Sequence, residues 1–275
     1  MRVLCEICPH GCNIEENHIG FCRARGNRGG KITCVNYGRL TSAALDPIEK
    51  KPLHRFMPGS RILSVGSYGC NLKCPFCQNC DISMADENTA EISCVPPEHL
   101  VAKALELVRQ GNIGIAYTYN EPLIGYEYVK DCAALAHEKG LKNVLVTNGY
   151  VCEKPLGDIL PLIDAMNIDL KGFTESFYRK LSGDLETVKA TIVRAAKSCH
   201  VEVTTLVIPG ENDGGDEMEA LSSWLGNTDP AIPLHLSRFF PRYKYEDRTP
   251  TPRETLYRLR DIAQKHLKYV FLGNI

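Results

Sequence analysis

Three cysteines near residue 70 have the residue type and spacing to hold an iron–sulfur cluster. Cys70, Cys74 and Cys77 form a C-x3-C-x2-C motif that directly follows an apolar run. Thiolates are soft ligands that suit iron–sulfur clusters, and three of them can ligate three irons of a cubic 4Fe-4S cluster. The fourth iron then has no protein ligand and is open to S-adenosylmethionine (SAM), a cofactor of radical reactions. The motif therefore predicts a cluster that initiates chemistry.

A zinc knuckle and a closed cluster are the alternatives at this motif. Zinc commonly binds cysteines two residues apart, but its sites usually combine two close couples, which the x3 spacing does not supply. Cys80 extends the run to four thiols, and four thiolates would form a closed electron carrier. We expect Cys80 to be a spare thiol, because other parts of the chain offer candidate contacts for SAM.

Four further cysteines lie close together near the N-terminus. Cys5, Cys8, Cys12 and Cys22 fall within 18 residues, and four thiolates satisfy a closed tetrahedral zinc site. An auxiliary iron–sulfur cluster is the second interpretation, although the spacing departs from the bacterial ferredoxin pattern. A redox pair without metal is the third. Zinc is the interpretation that we favour.

The composition is that of an ordinary globular protein. Of its 275 residues, 44% are hydrophobic and 24% are charged, and the net charge is −1. These values disfavour disorder and a basic nucleic-acid-binding surface. No apolar run approaches the roughly 20 residues that cross a bilayer, and the N-terminus has no signal core. We therefore expect a cytoplasmic protein that binds neither membrane nor nucleic acid, whose thirteen cysteines serve metals and not disulfides.

Strand-like and helical segments alternate from residue 60 onward, which indicates βαβ units and a parallel sheet. Six units predict a partial (β/α)6 barrel of the TIM type over residues 59–275. Residues 1–58 are predicted to form a small Cys-rich subdomain that a metal organises. The predicted strands are Ile62–Tyr68, Ile113–Tyr117, Asn143–Thr147, Ala165–Asp169, Glu202–Ile208 and Leu234–Ser237, with helices at about 97–110, 124–139, 156–163, 186–198, 217–225 and 252–266.

Polar motifs follow the predicted strands, at the end where parallel barrels carry their chemistry. Asn120 and Glu121 offer an amide and a carboxylate for the SAM ammonium, although a glutamate beside a helix N-terminus is also a favourable structural arrangement. Lys171 and His235 are candidate cations for the SAM carboxylate. Asp169 shares a strand face with Lys171, so the two can act jointly or form a buried ion pair.

The cysteine motif resembles the signature of radical SAM enzymes, including the aromatic Phe76 before its last cysteine. Over nearly its whole length the chain resembles the AmmeMemoRadiSam system radical SAM enzymes, which are related to the activases of pyruvate formate-lyase. The matching stretches are Cys8–Cys12, Asp46–Leu53, Gly69–Asn79, Tyr117–Pro122, Val146–Tyr150 and Ser237–Pro241.

This resemblance implies an enzyme that reductively cleaves SAM to a 5′-deoxyadenosyl radical, which abstracts a hydrogen atom from an unidentified substrate. It adds Phe76 to the cofactor site, assigns Glu121 to the SAM ammonium and assigns Thr147 with Asn148 to the ribose. Val146 stands where the activases often carry an aspartate. Flavodoxin or ferredoxin is the expected electron donor, and a protein is one candidate substrate. An activase of a glycyl radical enzyme and a non-enzymatic electron carrier are the alternatives.

Overall fold

The computed structural model describes all 275 residues and contains fourteen strands and eight α-helices. The strands are β1 (Arg2–Leu4), β2 (Asn13–Glu15), β3 (Arg25–Arg28), β4 (Lys31–Cys34), β5 (Arg39–Leu40), β6 (Ser42–Pro47), β7 (Arg61–Gly66), β8 (Ser93–Cys94), β9 (Asn112–Tyr117), β10 (Lys142–Thr147), β11 (Ala165–Asp169), β12 (His200–Val207), β13 (Leu234–Arg238) and β14 (Val270–Gly273). The helices are α1 (Cys80–Ser83), α2 (Pro97–Glu106), α3 (Tyr126–Glu138), α4 (Glu153–Ile159), α5 (Glu175–Lys180), α6 (Leu185–Ala195), α7 (Gly215–Thr228) and α8 (Arg253–Ala263).

Eight strands form the main sheet in the order β14-β13-β12-β11-β10-β9-β7-β6. Neighbouring strands from β7 to β14 run parallel, and β6 joins the edge antiparallel to β7. The predicted α/β architecture of partial-barrel type is confirmed. Because parallel strands all end at the same edge of the sheet, the loops after β7, β9, β10 and β11 can meet there.

Two strands of this sheet were not predicted from the sequence. β6 reads Ser-Ala-Ala-Leu-Asp-Pro, a weak strand pattern at an edge, and β14 is a four-residue strand near the C-terminus. β6 lies within residues 1–58, so this segment contributes a strand to the main sheet. Upstream of it, β1 pairs with β2 and β3 pairs with β4 in short antiparallel hairpins.

The helices pack on one face of the sheet and bury the principal core, which includes Leu63, Ile115 and Leu145. Residues on the opposite face of the same strands form a smaller cluster, in which Ile62, Ala116, Val144 and Ala165 contact Ile48 and Leu53. The segment that follows β6 therefore packs against the face of the sheet that the helices leave free. The alternation along each strand follows from the period of two in strand side-chain direction.

All six predicted helical regions contain helix, and α1 and α5 are additional. Gly111 ends the helical segment after α2 with φ of +86°, a conformation that glycine adopts without steric cost. Thr174 caps α5 by accepting a hydrogen bond from the Phe177 N–H at 3.2 Å. α5 has only six residues, too few for a helical period to stand out in the sequence. It nevertheless supplies Tyr178, which lies beside the candidate site.

Candidate active site

The cysteine loop leaves β7 through Gly69, which has φ of +85°. A Cβ at this position would lie 2.4 Å from the carbonyl oxygen of Cys22, so only glycine allows the N-terminal segment to approach so closely. Further along, the Lys73 N–H donates to the Leu181 carbonyl at 2.9 Å, and the Cys77 N–H donates to the Cys74 carbonyl at 3.2 Å. Both ends of the loop are thus fixed by backbone contacts.

The three thiols of the loop differ in exposure: Cys74 is buried, whereas Cys70 and Cys77 are partly exposed. Burial raises the pKa of the Cys74 thiol to about 12, and the Lys171 ammonium partly offsets that effect. Burial also raises the pKa of Cys70, with a further contribution from the Glu121 carboxylate. Thiolates form when a metal replaces the protons, so the donor set fits an iron–sulfur cluster.

No group of three or more His, Cys, Asp or Glu side chains converges as a single bound metal ion requires. A 4Fe-4S cluster makes a different demand, because each thiolate ligates its own iron and the thiols stand apart. The arrangement of Cys70, Cys74 and Cys77 is therefore compatible with a cluster.

Glu121 is buried and joins the loops after β9 and β10. Its carboxylate accepts hydrogen bonds from the Leu123 N–H at 2.9 Å, the Thr147 hydroxyl at 2.7 Å and the Asn148 N–H at 2.7 Å. Burial raises its pKa to about 7, although these donors act in the opposite direction. The carboxylate is engaged with protein donors, as in the structural alternative, and its contact with the SAM ammonium stays a prediction.

Asn120 joins the loop after β9 to the start of the cysteine loop. Its side-chain nitrogen donates to the carbonyls of Tyr68 at 3.1 Å and Gly69 at 3.0 Å, and its oxygen accepts from the Ser67 N–H at 3.0 Å. These contacts fix the backbone just before Cys70. Asn120 therefore positions the cysteine loop, and direct contact of Asn120 with SAM stays a prediction.

Asn148 reaches the cysteine loop from the loop after β10. Its side-chain nitrogen lies 3.7 Å from the Cys70 sulfur and 2.9 Å from the side-chain oxygen of Asn71. Asn71 in turn donates to the Tyr150 carbonyl at 2.6 Å. Sequence reasoning missed Asn71, although its place directly after Cys70 could have indicated a role. Contact of Thr147 and Asn148 with the ribose stays a prediction.

Lys171 and Asp169 form an ion pair of 2.7 Å at the end of β11. Burial lowers the pKa of Lys171, but the Asp169 carboxylate outweighs that effect, so the lysine stays charged. The pair is only partly buried, with 18% and 30% of the two side chains exposed. The Tyr178 hydroxyl accepts a hydrogen bond from the backbone N–H of Lys171 at 3.1 Å, and the Asn212 side chain donates to the backbone carbonyl of Lys171 at 2.7 Å. An accessible cation thus lies near the Cys74 thiol.

His235 does not join these groups, which corrects the prediction that placed it at a suitable strand end. It is the second residue of β13, and its Nε2 lies 2.6 Å from Glu202. Glu202 also binds His200 and the backbone N–H groups of His54 and Arg55. Although burial raises the pKa of Glu202, these donors bring it to about 2. His235 therefore serves a buried polar network near the beginning of its strand.

Phe76 packs in the core beside the cysteine loop, and its contact with the cofactor stays a prediction. Its ring is 3% exposed and packs against Phe177 and Tyr245, with centroids 6.1 and 6.0 Å away. The side chain anchors the cysteine loop in the core, because apolar rings gain more from burial than from a solvated position. Cys80 begins α1 and lies 3.5 Å from Asp81, which pairs with Arg242.

Cys5, Cys8, Cys12 and Cys22 line one pocket, although no three of these thiols converge closely enough to hold one metal ion. Its cavity of about 10 Å³ is the size of one water molecule. Arg25 lines the same pocket, is 4% exposed and contacts Glu127 at 2.5 and 2.7 Å, yet its Nε has no partner. The Glu127 carboxylate neutralises the guanidinium charge, so only the Nε donor of Arg25 is left for a further acceptor.

The fold and the three-thiol loop define a SAM-dependent iron–sulfur enzyme. Residues 64–225 match the radical SAM superfamily, and the chain belongs to this superfamily. The family implies SAM and a 4Fe-4S cluster as cofactors. All thirteen cysteines are free thiols, and no helix is both long and apolar enough to span a bilayer.

Three comparisons describe its relatives. An uncharacterized protein of Methanocaldococcus jannaschii is 41% identical over all of this chain and 82% of its own length. Pyruvate formate-lyase 1-activating enzyme of Escherichia coli K12 is 23% identical over 76% of this chain and 90% of its own length. The structure of a radical SAM methyltransferase from Sphaerobacter thermophilus has a TM-score of 0.60 at 16% identity, covering 79% and 67% of the two chains. The chain is thus an enzyme related to pyruvate formate-lyase activating enzyme. The narrower AmmeMemoRadiSam resemblance stays a prediction.

Proposed function

We propose that this enzyme holds a 4Fe-4S cluster on Cys70, Cys74 and Cys77 and uses it to cleave SAM for hydrogen-atom abstraction from a substrate. The observation that carries the proposal is the position of the three thiols. They lie at the carboxyl end of β7, next to the Lys171–Asp169 pair at the end of β11. When bound, such a cluster supplies one electron to the sulfonium of SAM, which yields methionine and a 5′-deoxyadenosyl radical.

The protein's own part is to bind and orient. Lys171 offers a fixed cation for the SAM carboxylate, because Asp169 and the contacts of Tyr178 and Asn212 hold it in place. Glu121 and Asn120 fix the loops on which the cysteines and the SAM contacts lie. The buried Phe76 keeps that loop against the core.

The test is anaerobic reconstitution of the chain with iron and sulfide, followed by dithionite and SAM. We expect about four irons per chain for one 4Fe-4S cluster, and formation of 5′-deoxyadenosine even without a substrate. A reconstituted protein that holds the cluster but releases no 5′-deoxyadenosine would contradict the proposal.

An activating enzyme that installs a glycyl radical on a partner enzyme is the second candidate. It is favoured by the similarity to pyruvate formate-lyase 1-activating enzyme along 90% of that protein. The test is to mix the reconstituted enzyme and SAM with the product of any neighbouring gene that carries a glycyl-radical loop. A glycyl radical signal in electron paramagnetic resonance (EPR) would support this candidate, and its absence with every such partner would favour another substrate. Flavodoxin or ferredoxin remains our proposed electron donor in the cytoplasm.

The N-terminal thiols, in this proposal, hold one zinc ion. The cavity among Cys5, Cys8, Cys12 and Cys22 is small, which suits a single metal ion. A zinc ion with four thiolates carries net negative charge, which suits the unpartnered Nε of Arg25. Small rotations of the thiols would close the tetrahedron.

We expect the purified chain to contain one zinc in addition to the cluster iron, and Cys12→Ser to lose the zinc. The reason is that a four-thiolate site tolerates the loss of a ligand poorly, since the metal supplies much of the local folding energy. Metal analysis that counts zinc and iron separately is the measurement, with Cys94→Ser as a control at an exposed thiol. Extra iron in place of zinc, lost together in Cys12→Ser, would instead establish an auxiliary cluster.

A further inference from the structure

His10 connects the N-terminal thiol pocket to the cysteine loop. Its Nε2 lies 2.8 Å from the carbonyl oxygen of Asn71, the residue after Cys70. A carbonyl oxygen only accepts hydrogen bonds, so this ring nitrogen carries the proton and donates it. The ring is held by Phe21 and Tyr150, with centroids 4.2 and 5.3 Å away. The donor is therefore fixed in direction.

The peptide group that accepts this bond also donates one to a cluster ligand. Its carbonyl belongs to Asn71 and its N–H to Leu72, and the Leu72 nitrogen lies 3.4 Å from the Cys70 sulfur. Two hydrogen bonds made by the same peptide group polarise each other. A donor at the carbonyl oxygen therefore makes the N–H of that peptide a stronger hydrogen-bond donor. His10 thus acts on the Cys70 sulfur through a single peptide plane.

We propose that His10 raises the reduction potential of the 4Fe-4S cluster by polarising the Asn71–Leu72 peptide toward the Cys70 thiolate. This inference rests on the proposed function, since it requires the cluster on Cys70, Cys74 and Cys77. Hydrogen bonds to cluster sulfurs are among the determinants of cluster potential. Reduction adds negative charge to the cluster, so an N–H donor at its sulfur favours the reduced state. His10 is a positioning residue, because it touches a peptide and not the reacting atoms.

The surroundings of Cys70 reinforce this assignment. The Asn148 side chain supplies a second N–H at 3.7 Å from the same sulfur, and it is held by the side-chain oxygen of Asn71. Asn71 is 1% exposed, so water does not compete strongly with His10 for its carbonyl. The Cys70 sulfur is thus the ligand around which the chain gathers N–H donors.

Two variants separate the donor from the ring. His10→Phe keeps a ring between Phe21 and Tyr150 but has no donor, whereas His10→Gln loses the ring and keeps an N–H at a similar reach. Loss of a polarisation of 10–30% per bond is expected to lower the ratio of reduced to oxidised cluster about threefold at a fixed potential. For a one-electron couple this is a shift of about 30 mV to more negative potential.

The measurement is an EPR-monitored redox titration of the reconstituted variants without SAM, at equal iron content. We expect His10→Phe to shift to more negative potential and His10→Gln to titrate like the wild type. His10→Leu serves as a second donor-free variant, expected to shift with His10→Phe.

Equal reduction potentials for the wild type and His10→Phe would overturn the inference. A reduction potential of His10→Gln that differs from the wild type as much as that of His10→Leu would also overturn it, because the effect would then follow the ring and not the donor. Failure of both donor-free variants to hold the cluster, with normal loading of His10→Gln, would replace potential tuning by a role in cluster assembly. Because SAM is absent from the titration, a wild type that titrates but does not cleave SAM would overturn only the proposed function. A wild type that binds no cluster would overturn both.

Discussion

Replacing Cys77 by alanine is expected to abolish SAM cleavage, whereas replacing Cys80 by alanine leaves it near the wild-type level. Cys77 belongs to the loop fixed by β7 and by backbone bonds, and Cys80 begins the next short helix and contacts Asp81. Mutating a residue that only hydrogen-bonds to a metal ligand typically lowers metal affinity or activity roughly 10- to 100-fold. Losing one of the three cluster ligands themselves should lower activity further. We therefore expect a fall of more than about 100-fold for Cys77→Ala.

The measurement combines iron and sulfide content, the EPR spectrum of the reduced protein and the rate of 5′-deoxyadenosine formation. Cys70→Ala and Cys74→Ala should behave like Cys77→Ala, because the three thiols form one ligand set. The electron-carrier alternative requires all four thiols as ligands, so Cys80→Ala would then damage the cluster as severely as Cys70→Ala does. Loss of the cluster in Cys80→Ala would therefore indicate a closed cluster and contradict the enzyme.

Sequence reasoning located the cysteine loop and the sites at strand ends because both signals are local. A polar motif that directly follows an apolar run needs no tertiary information to be placed at the end of a strand. Asp169 and Lys171 illustrate this: their spacing of two residues at the end of β11 predicted a shared face, and the structure pairs them at 2.7 Å. The three cysteines were predicted in the same way.

The surroundings of His235 and Phe76 were not predicted because they depend on distant residues. The sequence does not say that Glu202, one strand away, has its carboxylate directed toward His235, or that Phe177 and Tyr245 enclose the Phe76 ring. The predicted strand, Leu234–Ser237, already placed His235 at its second residue, but the carboxylate that holds the ring there could not be identified from the sequence. Such side chains are decided by tertiary packing.

The positioning contacts were missed for a related reason. Three such residues hydrogen-bond to backbone groups at the site: Asn71, Tyr178 and Asn212. Because every residue has the same backbone groups, the sequence does not indicate which of them these side chains contact. The close approach at Gly69 likewise appears only when the Cys22 carbonyl is placed against it. The N-terminal segment, which was predicted to be a separate small subdomain, thus contacts the cysteine loop directly.

Replacing Lys171 by methionine is expected to weaken SAM binding about 30-fold without loss of cluster iron. Lys171 is the accessible cation near the Cys74 thiol, and methionine keeps its length but not its charge. A hydrogen bond to a charged group contributes about 2 kcal/mol, which corresponds to about 30-fold in the dissociation constant. The effect has a second source, because Asp169 is left without its partner and repels an incoming carboxylate.

Equilibrium binding of SAM to the reconstituted variant is the measurement, and His235→Leu is the matched control. His235 was a second predicted cation, but it lies on Glu202, so its loss should lower the melting temperature by a few degrees and leave SAM affinity unchanged. If His235→Leu weakened SAM binding as much as Lys171→Met, the placement of His235 outside the site would be wrong. If neither variant changed the affinity, another group would have to hold the carboxylate, and the ion pair with Asp169 would have a purely structural role.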